Sequence, residues 1–139
     1  MASFNGKWIN TEQTGFVEML IKLGVPEQRA KFIGASRPVM TFKLTDDKKG
    51  FYFKQELPKM EEIVSENDWV FGVSQEDVDE NGKKGTTVWK LVSENEMEGV
   101  FSNEDVPEPT VINRKIEGDK LCQRIKIGEL EGLRCFQRQ

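Results

Sequence analysis

The sequence predicts an all-β fold, a closed antiparallel β-barrel with a pair of short helices across one end. After Pro38, eight short runs of strand-forming residues alternate with turn-forming stretches to the end of the 139-residue chain. Before Pro38, one segment has helical periodicity instead. A barrel follows because a long antiparallel meander removes its exposed edges by closing on itself. We expect one domain, spanning residues 1–139, since a chain of this length supports a single core.

The first elements are a strand around Trp8 and two short helices. Apolar residues recur at helical spacing from Phe16 until Gly24, a residue suited to end the first helix. Pro26 suits the first turn of a second helix, and Pro38 ends it. The apolar positions are Phe16, Met19, Leu20 and Leu23 in the first helix and Ala30 and Ile33 in the second. Without a basic recognition face, this pair indicates packing on a core and not DNA binding.

The eight later strands are predicted from β-formers that cluster or alternate between turns. They read VMTFKL, FYFKQE, DWVFGV, TTVWKL, EGVFSN, TVINRKI, KLCQRIKI and LRCFQ. The acidic stretch SQEDVDENGKKG, between the third and fourth of these runs, is interpreted as a solvated loop and not as a metal or acid–base site. The helix pair, which comes between the first strand and the rest, is expected to lie over one open end of the barrel.

Composition excludes several classes of function. The formal net charge is −4 and no basic stripe is present, which argues against nucleic-acid binding. The chain has no histidine and only two cysteines, so a zinc site, another metal site or an enzyme is disfavoured, and no cofactor is expected. The chain also has no secretory pattern and no apolar run long enough to span a membrane. We therefore expect a cytoplasmic protein that can also enter the nucleus. We expect it to be a monomer.

Strand register predicts which face of the last three strands is buried. Two-residue turns at Gly128-Glu129 and Gly118-Asp119 place Arg134 and Arg114 opposite Gln123 on neighbouring strands. The rest of that face is apolar and must be the interior: Ile112, Ile116, Leu121, Ile125, Ile127 and Phe136. The same register places Cys135 opposite Cys122 on the outer face, where we expect free thiols that bridge slowly under strong oxidant.

Two inward arginines predict an anionic ligand. Burying an unpaired guanidinium costs several kcal/mol, so an anion or ordered water is expected beside each one. An internal ion pair with an inward acid is one alternative, although no acidic residue shares this face in the two hairpins. A register slip that moves the arginines to the surface is the other, and it would expose six apolar side chains.

The chain resembles the intracellular lipid-binding proteins, which include the fatty-acid-binding proteins and the cellular retinoid-binding proteins. The resemblance covers the whole chain. It begins with FNGKW and GFVEMLIKLGV, continues through RPVMTF and INRKIEGDKL, and ends at LRCF, which is similar to the family's Arg-x-Tyr ending. Two positions differ, because Asn10 stands where an aliphatic residue is usual and Val17 stands where an acid is usual.

This resemblance implies a ten-stranded up-and-down barrel with a helix-turn-helix lid between its first two strands, in which two arginines and a tyrosine hold a lipid carboxylate. Arg114 and Arg134 match the arginines, and Phe136 stands at the tyrosine position. The missing hydroxyl is expected to weaken head-group binding or shift it toward Gln123. By the same likeness, the cavity and its portal are lined by Phe16, Leu20, Val25, Ile33, Pro38, Met40, Phe53, Phe101, Asn103 and Phe136, with plain core packing as the alternative for the apolar ones.

The implied function is that of an intracellular carrier of a long-chain fatty acid, delivered between membranes or to other proteins. A carrier of another hydrophobic acid, such as a retinoid or a bile acid, is the alternative on the same fold. A secreted lipocalin is a third interpretation, although it would require an export signal and usually a disulfide. Transient membrane contact through Lys22, Arg29 and Lys31 of the lid is expected, with a solvated helix face as the alternative.

Overall fold

The computed structural model describes residues 4–78 and 82–139, with Val106 described for its backbone only. Within these residues the chain forms ten β-strands and two α-helices. The helices, α1 (Phe16–Lys22) and α2 (Glu27–Ala35), lie between the first two strands. The strands are β1 (Gly6–Thr14), β2 (Val39–Leu44), β3 (Gly50–Leu57), β4 (Glu62–Val70), β5 (Gln75–Val78), β6 (Lys84–Ser93), β7 (Glu96–Asn103), β8 (Val106–Glu117), β9 (Lys120–Ile127) and β10 (Leu130–Arg138).

All ten strands belong to one antiparallel sheet that curls into a nearly closed barrel. The strand order is β4-β3-β2-β1-β10-β9-β8-β7-β6-β5, so β1 pairs with β10 while β4 and β5 occupy the two ends of the order. The helices pack against the barrel, with α1 contacting β10 and α2. The predicted ten-stranded barrel with a helix-turn-helix lid is therefore confirmed.

Two strands differ from the sequence prediction. Strand β4 begins at Glu62, six residues before the predicted run DWVFGV, and β5 lies inside the stretch that was interpreted as a loop. Both strands stand at an end of the sheet order, where one side of the strand has no backbone neighbour. Such strands are often short and charged, and therefore lack the apolar alternation that reveals an interior strand.

The predicted register of the last three strands is confirmed. Gln123 lies opposite Arg114 in the β8–β9 ladder and opposite Arg134 in the β9–β10 ladder. The turn glycines Gly118 and Gly128 have φ values of 65° and 58°, a region that glycine enters without strain. The interior face predicted from this register is also observed, since Ile116, Leu121, Ile125 and Phe136 are buried and Ile112 and Ile127 are partly buried.

Cys122 and Cys135 are direct cross-strand partners, as the register predicted, but they form a disulfide. Their Cα atoms are 4.1 Å apart. The expectation of free thiols is therefore contradicted, because the register places the two side chains within bonding reach on one face of the sheet. That face is opposite to the one that carries Gln123 and Arg134.

The structure explains why Asn10 stands where the resemblance leads us to expect an aliphatic residue. The β1–β10 ladder contains an irregularity between Asn10 and Glu12, opposite Cys135. The Asn10 side chain is 4% exposed, and its Nδ2 donates to the carbonyl oxygens of Cys135 at 3.1 Å and Glu12 at 3.2 Å. A buried amide thus satisfies carbonyl groups at the bulge, which an aliphatic side chain could not do.

Two apolar clusters pack the protein, and both contribute residues to the wall of its cavity. One is a barrel core of thirteen buried residues, among them Phe4, Trp8, Phe42, Phe51 and Phe136. The other joins the lid to the barrel and comprises Phe16, Met19, Leu20, Val25, Ala30 and Ile125. Among the described residues, no helix is long and apolar enough to cross a membrane, and no group of metal-ligating side chains is assembled.

Candidate ligand-binding site

A cavity of about 1150 Å³ lies inside the barrel. It runs from Arg114 and Gln123 to the turns at the lid end of the barrel, where Lys83 and Glu104 contribute to its wall. The volume is slightly above the range of roughly 300–1,000 Å³ that is common for small-molecule sites. Most of the wall near Arg114 is apolar, with Phe53, Trp69, Trp89, Ile112 and Ile125. The cavity therefore offers an apolar space with a cationic group in its wall.

Arg114 is the cation of this cavity, and aromatic rings surround it. Its guanidinium carbon lies 4.4 Å from the ring centroid of Phe53, 4.3 Å from that of Trp89 and 5.2 Å from that of Phe42. Its Nε donates to Oε1 of Gln123 at 2.7 Å. Cation–π contacts with the rings compensate part of the desolvation of the charge. The rings hold the guanidinium in place, and the β8–β9 register supplies the hydrogen-bond partner.

Burial lowers the pKa of Arg114 to about 9, and the negative charge of Asp77 opposes this lowering. The guanidinium therefore keeps its proton at neutral pH. Among residues 4–78 and 82–139, no carboxylate forms an ion pair with it. A buried and protonated guanidinium of this kind attracts an anion from the cavity.

Asp77 is the acid whose charge acts on Arg114, and both residues line the cavity. It lies in β5, lines the cavity, and its Oδ2 accepts a hydrogen bond from the Thr87 hydroxyl at 2.8 Å. Its Oδ1 also accepts from the backbone N–H of Val78 at 2.8 Å. The internal ion pair considered from sequence is thus replaced by a longer-range interaction with an acid outside the two hairpins.

Arg134 has a different environment from Arg114. It is 3% exposed and faces Gln123 across the ladder, but its guanidinium reaches the lid. Its Nη2 donates to the carbonyl oxygens of Ser36 at 3.2 Å and Ile33 at 3.4 Å, and its guanidinium carbon lies 4.3 Å from the ring centroid of Phe16. The structure therefore brings Arg114 and Gln123 together in the cavity wall and places the Arg134 guanidinium between the barrel and the lid.

The other predicted site residues divide into two groups. Phe53, Phe101 and Asn103 line the cavity. The remaining ones are packed instead: Phe16, Leu20, Val25 and Ile33 in the cluster between lid and barrel, and Met40 and Phe136 in the barrel core. Pro38 is buried beside Asn10, and its carbonyl oxygen accepts the Asn10 backbone N–H at 3.0 Å. For this second group the alternative of plain core packing agrees with the observed contacts.

Sequence reasoning missed Trp89, which lines the cavity and stacks on Arg114. Trp89 lies opposite Gly99 in the β6–β7 ladder. A Cβ atom at Gly99 would come within 2.8 Å of the indole ring, so the ring lies across the glycine. A glycine inside the otherwise strand-forming run EGVF was the signal that a bulky side chain crosses that position.

Comparisons with known proteins were made by sequence and by fold. No protein-family model matches the chain. The 14 kDa fatty acid-binding protein of Schistosoma mansoni is 27% identical over 142 residues, covering 99% of this chain and 98% of that protein. A fatty acid-binding protein of Clonorchis sinensis is 28% identical over 138 residues and covers 99% of both chains. Among solved structures, that of a Schistosoma mansoni fatty acid binding protein in complex with arachidonic acid superposes with a TM-score of 0.85 at 22% identity, covering 100% of this chain and 98% of the other.

Proposed function

Because this chain resembles the intracellular lipid-binding family over its whole length, in sequence and in fold, we propose that it carries a long-chain fatty acid inside the barrel. Its sequence relatives are named as fatty acid-binding proteins, and one structure of the same fold holds arachidonic acid. Delivery of the fatty acid between membranes or to other proteins is part of this proposal, as is a monomeric protein in the cytoplasm.

The observation that carries the proposal is the enclosed guanidinium of Arg114 in the wall of an apolar cavity. The carboxylate of the ligand binds Arg114, and Gln123 keeps the guanidinium oriented through its 2.7 Å hydrogen bond. Charge-assisted hydrogen bonds of this type are about twice as strong as neutral ones. Arg134, whose guanidinium binds the lid, stays a predicted and not an assigned head-group ligand.

The acyl chain supplies most of the affinity. Each methylene that leaves water for an apolar wall contributes about 0.8 kcal/mol at most. The wall offers Phe53, Trp69, Phe101, Ile112 and Ile125 to such a chain. Tail burial therefore sets the strength of binding, while Arg114 selects an acid over a neutral lipid.

A carrier of another hydrophobic acid is the second candidate, since a retinoid or a bile acid would present the same carboxylate to Arg114. The cavity of about 1150 Å³ gives room for a wider ligand. A secreted lipocalin is disfavoured, because lipocalin barrels have eight strands and this one has ten.

The test is to purify the protein without removing lipid, extract the bound material and identify it by mass spectrometry. We expect fatty acid at about one molecule per chain. Titration of the delipidated protein with oleate in a calorimeter should then show one saturable site. An empty extract together with no saturable heat would refute the proposed function, and an extract that contains a retinoid or bile acid would favour the second candidate.

A further inference from the structure

We propose that Arg134 is a positioning residue that latches the helical lid to the barrel and thereby sets the rate of ligand exchange. The significance for exchange rests on the proposed carrier function, whereas the latch itself is a property of the protein alone. The proposal separates two arginines that sequence reasoning had joined, because Arg114 faces the cavity and the Arg134 guanidinium bonds the lid.

The latch begins at the carboxyl end of α2. The last carbonyl groups of a helix have no partner within the helix and carry partial negative charge. Helix α2 has no basic residue in its own last turn. Ser36, the residue after α2, donates its backbone N–H to the carbonyls of Phe32 at 3.1 Å and Ile33 at 3.2 Å, and its hydroxyl also donates to Ile33. The barrel adds further donors, since Arg134 Nη2 binds the carbonyls of Ile33 and Ser36 and Gln13 Nε2 donates to that of Gly34 at 2.8 Å. A cation at this end is the charge that the helix dipole favours.

The same guanidinium also contacts α1. Phe16 is the first residue of α1, and its ring lies against the guanidinium of Arg134. The two helices are in close contact at Gly34 of α2, where a Cβ atom would collide with the Val17 side chain of α1 and lie 3.1 Å from Nε2 of Gln13. Arg134 therefore joins β10 to both helices through one side chain.

Burial makes this connection important for lid motion. Arg134 is 3% exposed, so water does not compete freely for its hydrogen bonds. A lid that opens must separate the guanidinium from the carbonyls of Ile33 and Ser36 and from the Phe16 ring. Ligand entry and exit pass the lid end of the cavity, where Met19 of α1 and Leu23, directly after α1, contribute to the wall. The frequency of lid opening thus depends on Arg134, while head-group affinity depends on Arg114.

The experiment measures lid opening directly, by hydrogen exchange of the backbone amides of residues 16–36 in the full-length, delipidated protein. We expect Arg134→Gln to raise exchange in this segment about tenfold or more, the factor expected from loss of a charge-assisted hydrogen bond. Arg134→Lys, which keeps the charge and can reach one carbonyl, should recover part of the protection, and Gln13→Ala should raise exchange by a smaller factor. Arg138→Gln is the matched control, because Arg138 also stacks on an aromatic ring, that of Trp8, away from the lid.

A second measurement follows release of a fluorescent fatty acid by stopped flow. Arg134→Gln should speed release about tenfold, whereas Arg114→Gln should lower the ratio of acid to alcohol affinity. Unchanged lid exchange in Arg134→Gln, or a lowered acid-to-alcohol ratio without faster lid exchange, would overturn the latch and assign Arg134 to the head group. If Arg134→Gln does not fold, Arg134→Lys and Gln13→Ala decide the matter. Failure of the fatty acid to bind the wild-type protein would refute the proposed function and leave the hydrogen-exchange result standing.

Discussion

Arg114 shows how one buried charge is made tolerable and useful at the level of a single residue. Phe42, Phe53 and Trp89 face its guanidinium, Gln123 accepts its Nε–H, and the charge of Asp77 acts on it without forming an ion pair. None of these groups neutralises the charge by an ion pair, so the cation remains available to an anionic ligand. The arrangement predicts that removing the charge and removing its distant acid will have opposite effects on carboxylate binding.

Arg114→Leu should weaken binding of oleate about 10- to 100-fold and change binding of oleyl alcohol by less than about threefold, because only the acid uses the charge. Without ligand, the free energy of unfolding should rise by about 1 kcal/mol, since a desolvated cation is replaced by an apolar side chain. Calorimetric titration with both ligands and urea unfolding of the delipidated protein measure the two effects. Equal losses for the acid and the alcohol would show that Arg114 does not recognise the head group.

Asp77→Asn should strengthen oleate binding a few-fold, because it removes a negative charge that faces the same cavity and attracts Arg114. The amide can still hydrogen-bond Thr87, so the wall keeps its shape. Glu117→Gln, at the exposed end of β8, is a suitable control for the change in net charge. Weaker oleate binding in Asp77→Asn, with Glu117→Gln unchanged, would contradict the proposed electrostatic role.

At the level of elements, the β9–β10 hairpin separates two roles between its two faces. One face carries Gln123 and Arg134 toward the interior, and the other carries the disulfide between Cys122 and Cys135. Alternation along a strand keeps neighbouring residues on opposite faces, so a covalent bond on one face leaves the other free for ligand contacts. Stability and ligand binding should therefore respond differently to reduction of this bond.

Reduction of the disulfide, or the double substitution Cys122→Ser with Cys135→Ser, should lower the free energy of unfolding by about 3 kcal/mol, the loop-entropy value for a bond that closes a loop of this size. Oleate affinity should change by less than about twofold, because the cysteines face away from the cavity. Urea unfolding with and without reductant, followed by oleate titration of the reduced protein, tests both statements. A large loss of affinity with little loss of stability would reverse this assignment.

For the whole molecule, the sequence predicted what depends on alternation and order along the chain. The barrel, the lid and the alignment of Arg114, Gln123 and Arg134 follow from apolar periodicity and two short turns, which are local features. The sequence did not reveal β5, because an end strand with few apolar residues resembles a loop. It also did not reveal where the Arg134 guanidinium ends, because register fixes the face of a residue but not the direction of a long side chain. The carbonyls that bind it belong to Ile33 of α2 and to Ser36 directly after it, about one hundred residues earlier in the chain.

Strands β4 and β5 lie at the two ends of the sheet order, so the circumference of the barrel is interrupted between them. The side chain of Gln75 in β5 bonds to β4 across this interruption, since its Oε1 accepts from the backbone N–H of Val70 at 2.7 Å and its Nε2 donates to the carbonyl of Asp68 at 2.9 Å. A barrel that is closed here by a side chain can change its circumference through a change of rotamer, whereas a continuous ladder must break backbone hydrogen bonds to do so. We therefore expect the cavity to widen around a bulkier ligand while the nine strand pairings keep their registers.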